Sequence, residues 1–217
     1  MTQVMSLSRA LWEANVDLAR AALEHRFVRG LADGSLPVES FQSYVAQDAF
    51  FLESFSRAYA LALARSKDQR GIRDFAELIS GIVEELELHE GYAEQWGVSL
   101  EGVEPVEATL AYTDFLLATA SLGNVGQICA AMTPCMRLYA HLGQSLVEEG
   151  YDADNPYSGW IRTYADPEFE ALAAKLEALL DRYATDAPAV RSAYRRAMTL
   201  EIAFFEANAG LDVLRRL

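Results

Sequence analysis

Cys135 and Tyr139 stand one helical turn apart in AMTPCMRLYAHLG, residues 131–143, which puts a thiol and a phenol on one helix face. A thiol becomes a nucleophile when its surroundings take up its proton. The same residue also serves as a small buried hydrophobe, and Tyr139 as a core ring whose hydroxyl reaches a polar neighbour. Pro134 sits directly before the cysteine. A proline inside a helix removes the bond to the carbonyl four residues back and costs about 3 kcal/mol, so the sequence predicts a bend that tilts Cys135 towards a pocket.

Acids on apolar faces are the natural companions of such a thiol, because they can carry its proton. In YVAQDAFF, residues 44–51, Tyr44, Asp48 and Phe51 share one face. An acid there is paired in the interior, open to a pocket, or solvated at the edge of the apolar stripe. Tyr112 lies among apolar neighbours in LAYTDFLL. In TLEIAFFEANAG, residues 199–210, Glu201 pairs with Phe205 and Ile202 with Glu206 at one-turn spacing, so either glutamate can face inward.

Metal chemistry finds no support in the spacing. A di-iron bundle uses paired Glu-x-x-His motifs. Alanine or leucine stands three residues before each of His25, His89 and His141. EELELHE, residues 84–90, reads as an exposed acidic face, and His25 as a structural histidine rather than a haem ligand. No Walker, GxSxG or GxGxxG pattern occurs, so nucleotide and serine-hydrolase chemistry have nothing to stand on.

Helices must position these residues, because helical periodicity runs along the whole chain and period-two alternation is missing. The first helix starts from a cap at Ser6 or Ser8 and runs to about Leu31. The second begins near Val38. The third covers about Ile72 to Gln95, the fourth Glu107 to about Ala120, and the fifth Val125 to Glu149. A short helix ends at Tyr164. The next has Asp166 as cap and Pro167 at its first position. The last runs from about Ala187 to the C-terminus. Roughly eight helices with no linker or repeat predict a single-domain all-α bundle, which buries its site between helices.

The 217 residues carry a net charge of −14, a surface that repels nucleic acid and anionic lipid. Arg195-Arg196 and Arg215-Arg216 are short basic pairs among acids. No apolar run spans a bilayer, and the start of the chain does not read as a signal peptide. Cys129 and Cys135 are six residues apart on one helix, a turn and rise that keep them from bridging. A reduced, cytoplasmic protein is expected.

Five stretches in order resemble the TenA family, also called thiaminase II or aminopyrimidine aminohydrolase. They are HRFVRGLADGSLPVESFQSYVAQDAFFL, AYTDFLL, MTPCMRLYAHLG, PYSGWIRTYADPEF and LEIAFFEANAG, which together span nearly the whole chain. The resemblance implies a haem-oxygenase-like fold that needs no haem or other cofactor, a homotetramer, and hydrolysis of thiamine or its degradation products. The implied product is 4-amino-5-hydroxymethyl-2-methylpyrimidine, released for thiamine salvage. It further implies Cys135 as the nucleophile that adds to the pyrimidine ring and Glu201 as the acid that protonates a ring nitrogen. Asp48 would grip the exocyclic amino group. Tyr44, Phe51, Tyr112, Tyr139, Tyr164 and Phe205 would line the pocket. One position departs from the family pattern: Phe51 stands where the family often has tyrosine. That departure motivates an alternative, a pyrimidine-binding protein without turnover. A regulator, or a haem or di-iron enzyme on the same bundle, are further alternatives.

Overall fold

The computed structural model describes residues 5–210, and within them ten helices and no strand. The chain opens with three short helices, α1 (Leu7–Glu13), α2 (Val16–Leu23) and α3 (Arg26–Asp33), where the periodicity predicts one. The interruptions are local. Asn15 turns its amide back onto the Leu11 carbonyl at 2.8 Å. His25 caps α3 by accepting from the Phe27 N–H at 3.2 Å, the role a side-chain acceptor plays at an N-cap. Ser6, not Ser8, caps α1.

The long elements match their sequence signals. α4 (Val38–Arg65) and α5 (Gln69–Trp96) form an antiparallel pair; α6 (Glu107–Leu122) packs on α4. α7 (Val125–Glu149) starts with a capping box between Asn124 and Gln127 and continues unbroken through Pro134. α8 (Ser158–Ala165) carries the Trp160 segment. α9 (Pro167–Tyr183) begins with the expected Asp166 cap, which accepts from the Glu168 N–H at 2.7 Å. α10 spans Pro188–Asn208. The reading of a helix to the C-terminus, and Arg215-Arg216 with it, extends beyond the described residues.

α7 is the central element: it packs against α8, α9 and α10 and touches α4 and α6. That explains why almost its entire middle is buried, from Ile128 to Pro134 without a gap. Two devices hold it. Arg137 reaches Glu170 and Glu177 on α9 with four contacts of 2.8–2.9 Å. Gly143 brings the backbone of α8 close; a Cβ there would lie 2.5 Å from the Ala165 nitrogen, so only glycine permits this approach. α8 thereby comes to lie beside Tyr139.

Candidate active site

α4, α5, α7, α8 and α9 enclose a narrow cavity. Asp48, Phe51, Cys135, Tyr139 and Tyr164 line it, joined by Glu85, Met136, Phe169 and apolar residues of α4 and α5. Five of the nine residues singled out in the sequence therefore reach the cavity wall. The other four, Tyr44, Tyr112, Glu201 and Phe205, are buried in the layer behind it.

Cys135 is partly accessible, and the Glu201 carboxyl on α10 lies near its thiol. Tyr112 donates to the same carboxyl, at Oε1, over 2.6 Å. The choice between the two glutamates of α10 is thereby decided. Glu201 is only 1% exposed, whereas Glu206 points outward to Arg26 and His25. Burial drives the Glu201 carboxyl up; Tyr112 pulls it down, the Asp48 charge pushes it up and Cys135 pulls it down, which leaves it at about 8. Burial, followed by the Glu201, Glu85 and Asp48 carboxyls, raises the Cys135 thiol well above the ordinary range. A standing thiolate is disfavoured there, so sulfur must lose its proton in the act of attack. The Glu201 carboxyl near it is placed to receive that proton.

Asp48 is buried and paired. Its Oδ2 accepts from Tyr44 OH at 3.1 Å and from His89 Nε2 at 2.7 Å. Trp160 Nε1 donates to Tyr44 OH at 3.1 Å, which orients that hydroxyl. Oδ1 has no protein partner among the described residues. It is the acceptor left for a ligand. His89 is 1% exposed, and its Nδ1 faces the Glu85 carbonyl at 2.9 Å. Burial works against the imidazolium, but the Asp48 hydrogen bond and charge, with Glu85, outweigh it and raise His89 to about 9. With both ring nitrogens donating, His89 bridges Asp48 and the Glu85 carbonyl and fixes the orientation of the Asp48 carboxyl.

The segment 84–90 is thus not an exposed acidic face throughout, and this corrects the sequence reading. Glu84, Glu87 and Glu90 are exposed, but Glu85 lines the cavity and His89 lies beneath it. Tyr164 OH donates to Glu85 Oε1 at 2.8 Å. Burial, then the Asp48 charge, lifts Glu85 to about 7, against the pull of His89 and Tyr164. The sequence does carry a signal for both residues. Phe75, Leu78, Ile82 and Ala93 are buried, and Glu85 and His89 continue their three-four spacing on the same face.

Aromatic rings complete the walls. Phe51 lies 4.7 Å from the Tyr112 ring and 5.3 Å from Phe55. Tyr139 contacts Tyr164 edge-on at 4.7 Å and Phe205 at 5.7 Å. His25 and His141 stand apart from this site: His25 caps α3, and His141 lies edge-on to Trp12 at 5.3 Å. Among the described residues no three His, Cys, Asp or Glu side chains are arranged to hold a metal ion.

Comparison with known proteins agrees with this fold. The profile of the TENA/THI-4/PQQC family matches residues 12–209. An aminopyrimidine aminohydrolase of Halalkalibacterium halodurans is 35% identical over 185 residues, covering 83% of each chain. The crystal structure of a TenA family transcription regulator from Silicibacter sp. TM1040 superposes with a TM-score of 0.87 at 30% identity, over 96% of this chain and 99% of that one. A Shewanella denitrificans domain described as having a heme oxygenase-like fold superposes with a TM-score of 0.73 over 95% of this chain and 93% of its own. At 13% identity it bears on the fold alone.

Proposed function

The chain belongs to the TENA/THI-4/PQQC family, and from that footing we propose that it is a hydrolase of thiamine-derived aminopyrimidines acting in thiamine salvage, with Cys135 as its nucleophile. The observation that carries this reading is the partly accessible Cys135 thiol on the wall of a cavity that also holds Asp48, with the buried Glu201 carboxyl near it. A flat aminopyrimidine matches those groups. Its exocyclic amino group donates to Asp48, a ring nitrogen lies towards Glu201, which delivers a proton to it during attack, and the aromatic walls stack on its faces.

The reaction follows from the placement. Sulfur bonds to a ring carbon as its proton passes to Glu201 and on to the ring nitrogen. The carbon–nitrogen bond at the ring's methylene then breaks, its electron pair leaving with nitrogen. For an aminomethyl substrate, ammonia departs from the ammonium and water adds to the methylene. The proton that water gives up converts ammonia to ammonium. Sulfur leaves last and regains its proton through Glu201, and the product is 4-amino-5-hydroxymethyl-2-methylpyrimidine. Excluding bulk water keeps the intermediate from other nucleophiles.

Liquid chromatography of thiamine and of 4-amino-5-aminomethyl-2-methylpyrimidine incubated with the protein tests the product: the hydroxymethyl pyrimidine accumulates from at least one of them. Asp48→Asn weakens binding of that product about tenfold or more, because it replaces a charged acceptor by a neutral amide. No product from either substrate and an unchanged dissociation constant would remove this reading.

A DNA-binding role fits less well, since a net charge of −14 repels a duplex. No described helix is long and apolar enough to cross a membrane. The reading further takes these residues as a single domain, in a homotetramer and in a cytoplasmic setting. The unpaired Cys129 and Cys135 fit a reducing compartment, and Leu122, 89% exposed, fits a surface that another subunit covers.

A further inference from the structure

Matching substrate to site, as proposed above, leaves one group over on each side. Cys135, Glu201 and Asp48 account for the ring carbon, the ring nitrogen and the amino group. The substituent that departs from the methylene has no partner, and Glu85 is the cavity carboxyl without a task. We infer that Glu85, oriented by Tyr164, receives the departing group and makes the site select substrates whose methylene carries a positively charged nitrogen.

Three observations support this inference. Tyr164 holds Glu85 Oε1 at 2.8 Å, and Oε2 has no protein partner among the described residues, so one oxygen is positioned and the other is free for a ligand. No lysine or arginine lines the cavity, and its one basic neighbour, His89, donates its two ring N–H groups to Asp48 and the Glu85 carbonyl. Two carboxyls, Asp48 and Glu85, therefore face a space with no mobile cation, and a third, Glu201, lies behind its wall. A buried anion without a counterion is costly, and a cationic ligand relieves that cost.

The titration of Glu85 points the same way. Asp48 from α4, His89 from α5, Tyr164 from α8 and Cys135 from α7 surround it. Burial leaves its carboxyl at about 7, half ionised near neutrality. An ammonium beside it favours the ionised form. The chemistry of the two substrate classes agrees, since a protonated aminomethyl group and the thiazolium of thiamine both place a positive nitrogen on the same methylene. The hydroxymethyl product does not, so the ion pair is lost on turnover and product leaves more readily than substrate.

Binding tests this without requiring catalysis. In a Cys135→Ser background, isothermal titration compares the aminomethyl pyrimidine, a cation, with the hydroxymethyl pyrimidine, a neutral analogue. With Glu85 present the cation binds more tightly. Adding Glu85→Gln weakens the cation about tenfold or more, the usual worth of a hydrogen bond to charge. The neutral ligand changes by no more than about threefold, which also reports an intact pocket. Equal losses for both ligands, no loss for either, or no preference for the cation with Glu85 present would overturn the inference. The last comparison needs no Glu85 variant, so the test survives a variant that does not fold. If the preference holds and depends on Glu85 while the wild type turns over neither substrate, the hydrolase reading fails with the leaving-group role, and the selection of cations by Glu85 stands. If turnover is normal and the preference is absent, only Glu85 falls.

Discussion

Cys135 and Glu201 share one chemical problem: a thiol that burial holds in its protonated form has to attack as a thiolate. Their proximity offers the solution, because the pair reacts after losing a single proton, the carboxylate accepting from sulfur. Glu201 titrates near 8, with Tyr112, Cys135 and Asp48 around it. Turnover therefore rises with pH and levels off beyond about 8. Glu201→Gln removes that rise and lowers the plateau by about a hundredfold or more, the usual worth of a positioned acid–base group. A pH–rate profile checks both; an unchanged midpoint in the variant would contradict the pairing. Phe51 offers a second prediction. Its ring lines the cavity beside Tyr112, and Phe51→Tyr, which restores the residue the family often has there, raises the rate of thiamine cleavage. Equal rates would show that another group already supplies that hydroxyl's function. Most residues of the site were legible from their types, since a thiol, an acid among aromatics and inward tyrosines are unusual on apolar faces. Glu85 and His89 were not read correctly because Glu84, Glu87 and Glu90 surround them with exposed charge. In isolation the segment looks solvated, and only the stripe from Phe75 through Ile82 shows which two residues turn inward.

α7 is the element on which the site depends. It carries Cys135 and Tyr139, and its Gly143 sets the distance to α8, which carries Trp160 and Tyr164. Gly143→Ala would place a Cβ against the Tyr164 and Ala165 backbone. The expected cost is about 1–3 kcal/mol from overpacking, read as a lower midpoint in urea, with a loss of turnover as Tyr164 is displaced. A variant as stable and active as the parent would show that α8 is not held by this contact. The boundaries of α7 and α9 were readable from Asn124, Gly150, Asp166 and Pro167, because capping is decided by residues next to each other. The division of the first helix into α1, α2 and α3 was not. It depends on Asn15 and His25 each satisfying a backbone group locally, and helical periodicity continues across both breaks.

At the scale of the whole molecule, the all-α class follows from the length and regularity of the apolar stripes, while the cavity arises only when five helices meet around it. The buried polar groups leave a mark on stability. Glu85, Glu201 and His89 hold their protons more tightly folded than unfolded. Stability from such groups is present below the unfolded values, 4.5 for the glutamates and 6.5 for the histidine, and is lost as pH rises through about 7, 8 and 9. Surface acids act in the other direction. Arg137 lowers Glu170, and the Gly71 N–H followed by Tyr183 lowers Asp68. Their stabilisation is present above the ordinary carboxylate range and lost as pH falls. The urea midpoint is thus higher near pH 5 than at pH 9, and the reverse order would contradict the buried charges described. The most direct test of the central claim is ammonia release from 4-amino-5-aminomethyl-2-methylpyrimidine by the wild type beside Cys135→Ser. Steady release by the wild type and its loss in the variant, with an unchanged circular dichroism spectrum, is the predicted result. Release that persists in Cys135→Ser would contradict a cysteine-dependent hydrolase.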